Sequence, residues 1–359
     1  MKTAVLLLNF GEPEHAVLEE VVPFLERIFG LNSDLEGQAG EAARARARSL
    51  AQARAPGLIE EYELIGGSPL HGQARAHRDR LQQELTRRGH DVIAINGMQF
   101  TPPFIVDAVR EARAAGAERI VALPIYPLCG PSTTVAALRR LDADLGQQLW
   151  SVPLHRITGW HRQPAYIALR ARAIQDVMRA HDLSFDERTR LVFSAHGTPM
   201  KYLDEGSRYQ VYVRDFCAAV AAAAGAPDHV IGYQNHTNRP IEWTQPDIGT
   251  VIEEIDADRV IVDAASFMHE QSETLAELDH ELKSAAQRRD LGFFRVPIPH
   301  DAPEFIAIMA DLVEPFLRHD TAAAPPPAHS PGERPWQDCL CYAGGYCLNG
   351  ARLEQHPAS

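Results

Sequence analysis

One pattern constrains the chain more than any other. Short runs of Val, Ile and Leu recur without polar alternation, and longer amphipathic stretches separate them. The apolar runs lie at 4–10, 91–98, 119–127, 149–158, 190–196, 229–234, 259–267 and 292–298. A strand with one wet face alternates apolar and polar side chains. A strand covered on both faces does not, and such strands belong to parallel sheets. The intervening stretches at 72–88, 106–115, 163–180 and 209–224 have helical spacing. Strand–helix alternation of this kind predicts an α/β fold with right-handed crossovers.

A chain of 359 residues is too long for one ordinary core. The pattern runs twice, which predicts two similar doubly wound, Rossmann-like domains with mostly parallel sheets. The expected bounds are 1–147 and 148–300, with a closing helix at 301–320. Residues 321–359 form a Pro-rich linker, containing AAAPPPAHSPGERP, and a Cys-containing tail. No G-x-G-x-x-G follows the first strand, so no nucleotide cofactor is expected.

The net charge of −13 argues against a nucleic-acid partner and against docking on an anionic membrane. The first apolar run meets Gly11, Glu12 and Pro13, which reads as a buried strand rather than a leader. No run of 18 apolar residues is present. The expectation is a cytoplasmic protein without stable membrane anchoring. Its oligomeric state is not legible.

In open α/β sheets, ligands bind beyond the carboxyl ends of strands. Four segments stand there. Ser194-Ala195-His196-Gly197-Thr198-Pro199 ends a strand with a histidine flanked by small residues, suited to accepting a proton or ligating a metal. Its bland reading is a hydrogen-bonded loop histidine. The segment from Phe267 through Met268, His269 and Glu270 carries Glu273, Glu277 and Glu281 four residues apart. That spacing stacks the carboxylates on one helix face with no basic side chain to relieve them. Such a ladder can pass hydrated cations or protons, or it is simply a solvated acidic face. Gly66-Gly67-Ser68-Pro69-Leu70 allows close backbone approach to a ligand. Tyr126-Pro127-Leu128-Cys129-Gly130-Pro131-Ser132-Thr133-Thr134 leaves a strand and caps a helix with hydroxyls.

These four motifs and the opening Leu7-Leu8-Asn9-Phe10-Gly11-Glu12-Pro13, in this order, resemble the ferrochelatase family over roughly residues 4 to 315. The resemblance implies a porphyrin cleft between the two domains and a lyase that inserts Fe²⁺, its substrate, into protoporphyrin IX or coproporphyrin III. Two protons leave and haem is the product. It implies that His196 and Glu273 are catalytic and face each other across the macrocycle. The metal would meet His196, Glu273, Glu277 and Glu281. Phe10, Ser68, Gln99, Phe100, Tyr126, Ser132, Thr133, Trp243, Phe267 and Glu270 would bind substrate. Two other readings stay open: a chelatase for another metal or tetrapyrrole, and a non-catalytic haem-binding or haem-delivery protein.

The sequence departs from the family pattern in several places. Gln271 stands where many members have His, and Gln99 where they have Arg. Phe10 replaces Tyr or Met of some members, and His236 and Arg239 sit in an unfamiliar Asn235-His236-Thr237-Asn238-Arg239 segment, from which they could take over lost contacts. The Arg-Ala repeats within 32–54 predict an exposed helix in place of the family's hydrophobic lip.

Five cysteines do not form a secreted disulfide framework. Cys217 sits in an Ala/Val-rich helix and reads as buried. Cys339, Cys341 and Cys347 give C-x-C-x5-C, three thiolates for a soft metal or iron–sulfur cluster. Some ferrochelatases pair such a trio with one internal cysteine around a 2Fe–2S cluster, and Cys129 is the internal candidate here. A zinc site and unligated or disulfide-bonded cysteines are the alternatives.

Overall fold

The computed structural model describes residues 1–33, 40–236, 241–318 and 336–349. The expected linker at 321–335 and the candidate contact residue Arg239 lie outside the described residues.

Two sheets organise the molecule. The first contains β1 (Thr3–Asn9), β2 (Val92–Met98), β3 (Arg119–Pro124) and β4 (Leu154–Ile157), and the chain's last strands, β9 (Gln337–Asp338) and β10 (Gly345–Cys347). Its order is β2-β1-β3-β4-β10-β9. All neighbours run parallel except the edge pair β10–β9. The second sheet holds β5 (Thr189–His196), β6 (Val230–Gln234), β7 (Arg259–Ala264) and β8 (Gly292–Val296), in the order β6-β5-β7-β8 and all parallel. The expected mostly parallel α/β architecture is present. Every residue of β1, TAVLLLN, is buried, which explains its lack of alternation: helices cover both faces.

The strand at 149–158, expected to open the second domain, instead pairs with β3. The sheets are therefore divided at the long helix that follows β4, not at residue 147. Apolar spacing specifies a strand's faces but not which sheet's edge it joins. The tail also forms more than a draped segment. Gly345 and Tyr346 register with Arg156 and Ile157 and extend the first sheet beyond β4.

Helix α1 (Leu18–Asn32) packs on α2 (Gly40–Ile65). The Arg-Ala repeat is helical but not simply exposed. Ala43, Ala47, Ala51 and Ala55 recur at four-residue spacing and are buried, and Ala51 and Ala55 share a core with Phe24 and Leu25 while the arginines face outward. Next come α3 (Leu70–Arg87) and α4 (Ile105–Ala114). A π-helical turn, Pro131–Val135, then runs into α5 (Ala136–Gln147). Helix α6 (Pro164–Ala180) crosses to the second sheet, followed by α7 (Met200–Asp204), α8 (Tyr209–Ala224) and α9 (Ile248–Glu254). The acidic ladder forms a π-helix, Glu273–Leu282, continuing as α10 (Lys283–Gln287). The closing helix α11 (Pro303–Leu317) packs against α3 and α6. Among the described residues, no helix is long and apolar enough to cross a membrane.

Both sheets share one wiring. In each, the first strand lies between the second and the third, so the chain leaves in opposite directions from β1 and β3, and again from β5 and β7. Crevices at such reversals are where open α/β sheets hold ligands. Phe10 follows β1, Tyr126 follows β3, His196 ends β5 and Phe267 follows β7.

Candidate functional site

Those four residues line one concave region. Two adjoining cavities of ≈ 810 Å³ and ≈ 1090 Å³ share Phe10, Ser132, His196, Gly197 and Glu273 in their walls. Tyr126, Thr133 and Phe267 line the first. Phe100, Trp243 and Glu277 line the second, with an apolar wall from α1 that includes Phe24, Leu25, Ile28 and Phe29. Most of the site residues expected from the sequence therefore meet in one cleft.

Four of them do not line it. Gln99 sits behind the wall, donating from Nε2 to the Tyr126 hydroxyl at 3.1 Å. The Ser68 hydroxyl donates to Glu12. Glu270 is held by Arg295 at 2.9 Å and accepts from the Ile298 N–H at 2.9 Å and the Thr274 hydroxyl at 2.7 Å. Their polar groups are spent on the scaffold and none lines either cavity. Glu281, the last rung of the ladder, is exposed and also lies outside the cavity walls.

The centre of the cleft is a contact between His196 and Glu273. Nε2 and Oε1 lie 3.1 Å apart. Side chains flanking a flat ring need about 7 Å between them, since each face requires about 3.5 Å of van der Waals distance. In this structure His196 and Glu273 are in contact, with no gap between them for a macrocycle, where the resemblance implies that they face each other across one.

Both side chains are firmly oriented. The His196 N–H donates to Ser266 Oγ at 3.0 Å, and its carbonyl accepts from the Tyr209 hydroxyl at 3.0 Å. Ring nitrogen Nδ1 lies 2.6 Å from the Gly197 carbonyl oxygen, which makes Nδ1 the donor and turns Nε2 to the cleft. Gln271 donates from Nε2 to Glu273 Oε2 at 2.5 Å, leaving Oε1 for His196. Gln234, at the end of β6, donates to the Glu273 carbonyl at 2.9 Å and to Glu277 Oε2 at 2.8 Å. It pins the start of the π-helix, an element found mostly at functional sites.

The electrostatics follow from burial. Burial works against charge on His196, but the adjacent Glu273 carboxylate outweighs it and holds the imidazole up at about 9. Burial also disfavours charge on Glu273, yet His196 holds its carboxyl below the ordinary value. Each partner thus favours the charged form of the other. Glu277 behaves oppositely: burial, reinforced by the Glu273 charge, pushes it up to about 8. Two carboxyls on successive turns are thus pushed in opposite directions, the arrangement that separates proton donors from acceptors.

Two further groups enter the site, of which Glu12 was not singled out from the sequence. Glu12, just past β1, is buried against Ser272 and Ser68, and burial raises its carboxyl despite their hydrogen bonds. A carboxylate in the first loop after a central strand was the available signal. His236 brings its Nε2 to 4.0 Å from Glu273 Oε1. The sequence offered His236 as able to take over lost contacts, and its segment has no periodicity to say where; the structure places it beside Glu273.

A second cluster lies beside the cleft. The Sγ atoms of Cys129, Cys339 and Cys341 all lie within 4.8 Å of one another. Cys347 hydrogen-bonds the Cys339 sulfur. Thiol hydrogen bonds from Cys129 and Cys341 strongly lower the Cys339 thiol; Cys129 is pushed up by Cys339 and Cys341, and Cys341, though lowered by Cys129, is raised overall by Cys339 and burial. Four converging sulfurs match the donor set of a Cys₄ iron–sulfur cluster or zinc ion. Cys217 is buried, as its helix predicts.

Two wired-alike α/β units with a histidine–carboxylate cleft at their paired switch points define the chelatase class of fold. A solved structure of SirB from Bacillus subtilis, with Fe³⁺, shares this fold: TM-score 0.54, 9% identity, covering 89% of this chain and 96% of that one. The chain belongs to the ferrochelatase family, whose model matches residues 2–317. A ferrochelatase of Synechococcus sp. strain JA-3-3Ab is 33% identical over 91% of this chain and 97% of its own length. One of Cyanothece sp. strain PCC 7425 is 32% identical over 87% and 82% respectively.

Proposed function

We propose that this protein inserts ferrous iron into a porphyrin in haem biosynthesis, as a cytoplasmic lyase, with release of the two pyrrole N–H protons. The observation that carries the reading is the His196–Glu273 contact in a cleft built from both sheets. Insertion needs a desolvated cation and a sink for two protons, and the pair supplies both. An arriving divalent ion takes the His196 Nε2 lone pair and the proton there leaves to solvent, because metal ligands must be deprotonated. As the ion passes to the macrocycle nitrogens, the vacated imidazole and the Glu273 carboxylate take up one pyrrole proton each. Glu277, pinned by Gln234, and exposed Glu281 extend the route to solvent.

Phe10, Phe100, Trp243 and Phe267 supply apolar surface for the macrocycle, and Tyr126, Ser132 and Thr133 supply hydroxyls. Gln99, Ser68 and Glu270 act through the scaffold, Gln99 by orienting Tyr126. The substrate is protoporphyrin IX or coproporphyrin III, and haem is the product. Domains meet between β4 and β5, with the cleft between them.

The cysteine site fits a 2Fe–2S cluster held by Cys129, Cys339, Cys341 and Cys347. When bound, such a cluster supplies one-electron redox chemistry, which metal insertion does not use. Its ligands would instead fasten the tail to the cleft loop that follows Cys129.

Absorbance would be followed while anaerobic protein meets excess porphyrin and Fe²⁺, with each porphyrin in turn. Multiple turnovers are expected, and His196→Ala should slow them by about 10²–10⁴-fold, the usual contribution of a positioned acid–base group. Haem binding that saturates at one equivalent, without turnover, would replace the enzyme with a carrier.

A further inference from the structure

One ring nitrogen of each of His196 and His236 and a carboxylate oxygen of Glu273 all lie within 4.8 Å of one another. Two of the separations are 3.1 Å and 4.0 Å. Cis ligands of one metal ion, each at about 2.1 Å, stand about 3 Å apart, so a side-chain shift of roughly 1 Å closes the set. We propose that His236 is the third ligand of a two-histidine, one-carboxylate site that receives the divalent ion before insertion. The proposal rests on reading the cleft as the insertion site.

The neighbours prepare each donor. Gly197 holds the His196 Nδ1 proton, which leaves Nε2 as the metal-facing atom once the ion arrives. Gln271 occupies Glu273 Oε2 and leaves Oε1 for the metal. The His236 ring stands edge-on to His196 at 5.3 Å and to Trp243 at 5.5 Å, which sets its angle of approach. Its side chain is 45% exposed, against 33% for His196 and 16% for Glu273, so the three ligands grade from solvent inward. His236 is therefore the donor that an entering hydrated ion meets first. A facial His₂–carboxylate set leaves the remaining positions open, which suits ferrous iron and leaves room for porphyrin nitrogens. The same donors favour cobalt and zinc over magnesium.

The test uses Co²⁺ alone, without porphyrin, added anaerobically to the full protein with its cysteine site as isolated. Visible d–d bands report binding at nitrogen and oxygen donors. Thiolate charge-transfer bands in the near ultraviolet would reveal cobalt at the cysteines instead. His236→Ala and His236→Asn should each weaken the nitrogen–oxygen site at least about tenfold, the loss that even outer ligand-supporting groups cause. Thermal melting would verify that both variants fold. Weakening by His196→Ala and Glu273→Gln but by neither His236 variant would overturn the third ligand and leave the insertion reading intact. Wild-type affinity in all four variants would overturn the site altogether. Iron insertion by the wild type, assayed separately, decides the underlying reading.

Discussion

Glu273 is held at both oxygens, one by His196 and the other by Gln271. Gln271 lines the first cavity, and its side-chain amide is spent on the Glu273 carboxylate, so it acts on the chemistry as a positioning residue. Gln271→Ala removes a hydrogen bond to a charged group, an interaction of about 1.5–3 kcal/mol. The expected outcome is a kcat lowered roughly tenfold with porphyrin KM little changed, since 1.4 kcal/mol of barrier is a factor of ten. Steady-state kinetics of the folded variant test this, and a change confined to KM would contradict it. A second prediction concerns Arg170 on α6. Its guanidinium is buried, pairs with the buried Asp263 at 2.6 Å and donates to the Ala264 carbonyl at 2.9 Å and the Phe267 carbonyl at 3.0 Å. It braces the end of β7 from which the catalytic segment departs. Arg170→Ala would strand the Asp263 carboxylate and destabilise the fold by about 3–5 kcal/mol, measurable as a lowered urea midpoint. At this scale the sequence exposes His196, because small residues after a strand present a histidine at the sheet's edge. It conceals Gln99, Ser68 and Glu270, because spacing locates a residue near a cleft without saying which way its side chain is spent.

Close approach of elements decides what the backbone tolerates. Gly232 in β6 faces Ile248 at the start of α9, and an added Cβ would come within 2.9 Å of the Ile248 Cα and 2.5 Å of its Cδ1. Backbone cannot yield there as a flexible side chain can. Gly232→Ala should cost about 1–3 kcal/mol through overpacking, read by chemical denaturation. Helix α11 is clasped to the end of α3 by charge. Glu314 accepts from Arg88 at 3.0 Å and from Arg318 at 2.5 Å, and lies 3.0 Å from His90 Nε2. Burial opposes its ionisation, but those partners hold its carboxyl down to about 2 from an ordinary 4.5. A depressed folded value means that the clasp's stability is fully present above pH 4.5 and is lost as pH falls towards 2. Glu314→Gln should flatten this limb of the stability–pH curve, and an unchanged limb would assign the acid loss elsewhere. The elements themselves were largely legible, since uninterrupted apolar runs announce buried parallel strands. The π-helix was not, because carboxylates four residues apart share a face in either helical form. Strands of two or three residues, β9 and β10, are too short to carry a period.

At the scale of the molecule, the cysteines join regions that the sequence keeps far apart. Cys129 immediately precedes the loop whose Ser132 and Thr133 line the cleft, and Cys339, Cys341 and Cys347 belong to the tail that extends the first sheet. Helix α8 connects this corner to the catalytic wall. Its Tyr212 hydroxyl lies 3.4 Å from Cys341 Sγ, and one turn earlier Tyr209 supports the His196 carbonyl. Apart from its cysteines, the tail is held by two registered positions with β4, by Phe316 ring contacts with Trp336 at 5.0 Å and Tyr346 at 5.7 Å, and by a Tyr342–Asp142 hydrogen bond. A metal centre at the proposed cysteine site would add to that hold on β9 and β10, because metal-binding free energy at such a site is also folding free energy. On the proposed cluster reading, chelation under anaerobic conditions should raise amide exchange first at 337–347, then in β4 and the N-terminal turn of α8, while β5–β8 keep their protection. Cys341→Ser should give the same ordering without chelator. Exchange rising equally in both sheets would mean that the cysteines support the whole fold. Exchange unchanged everywhere would mean that the tail is seated by its apolar contacts, with Trp336 as its anchor.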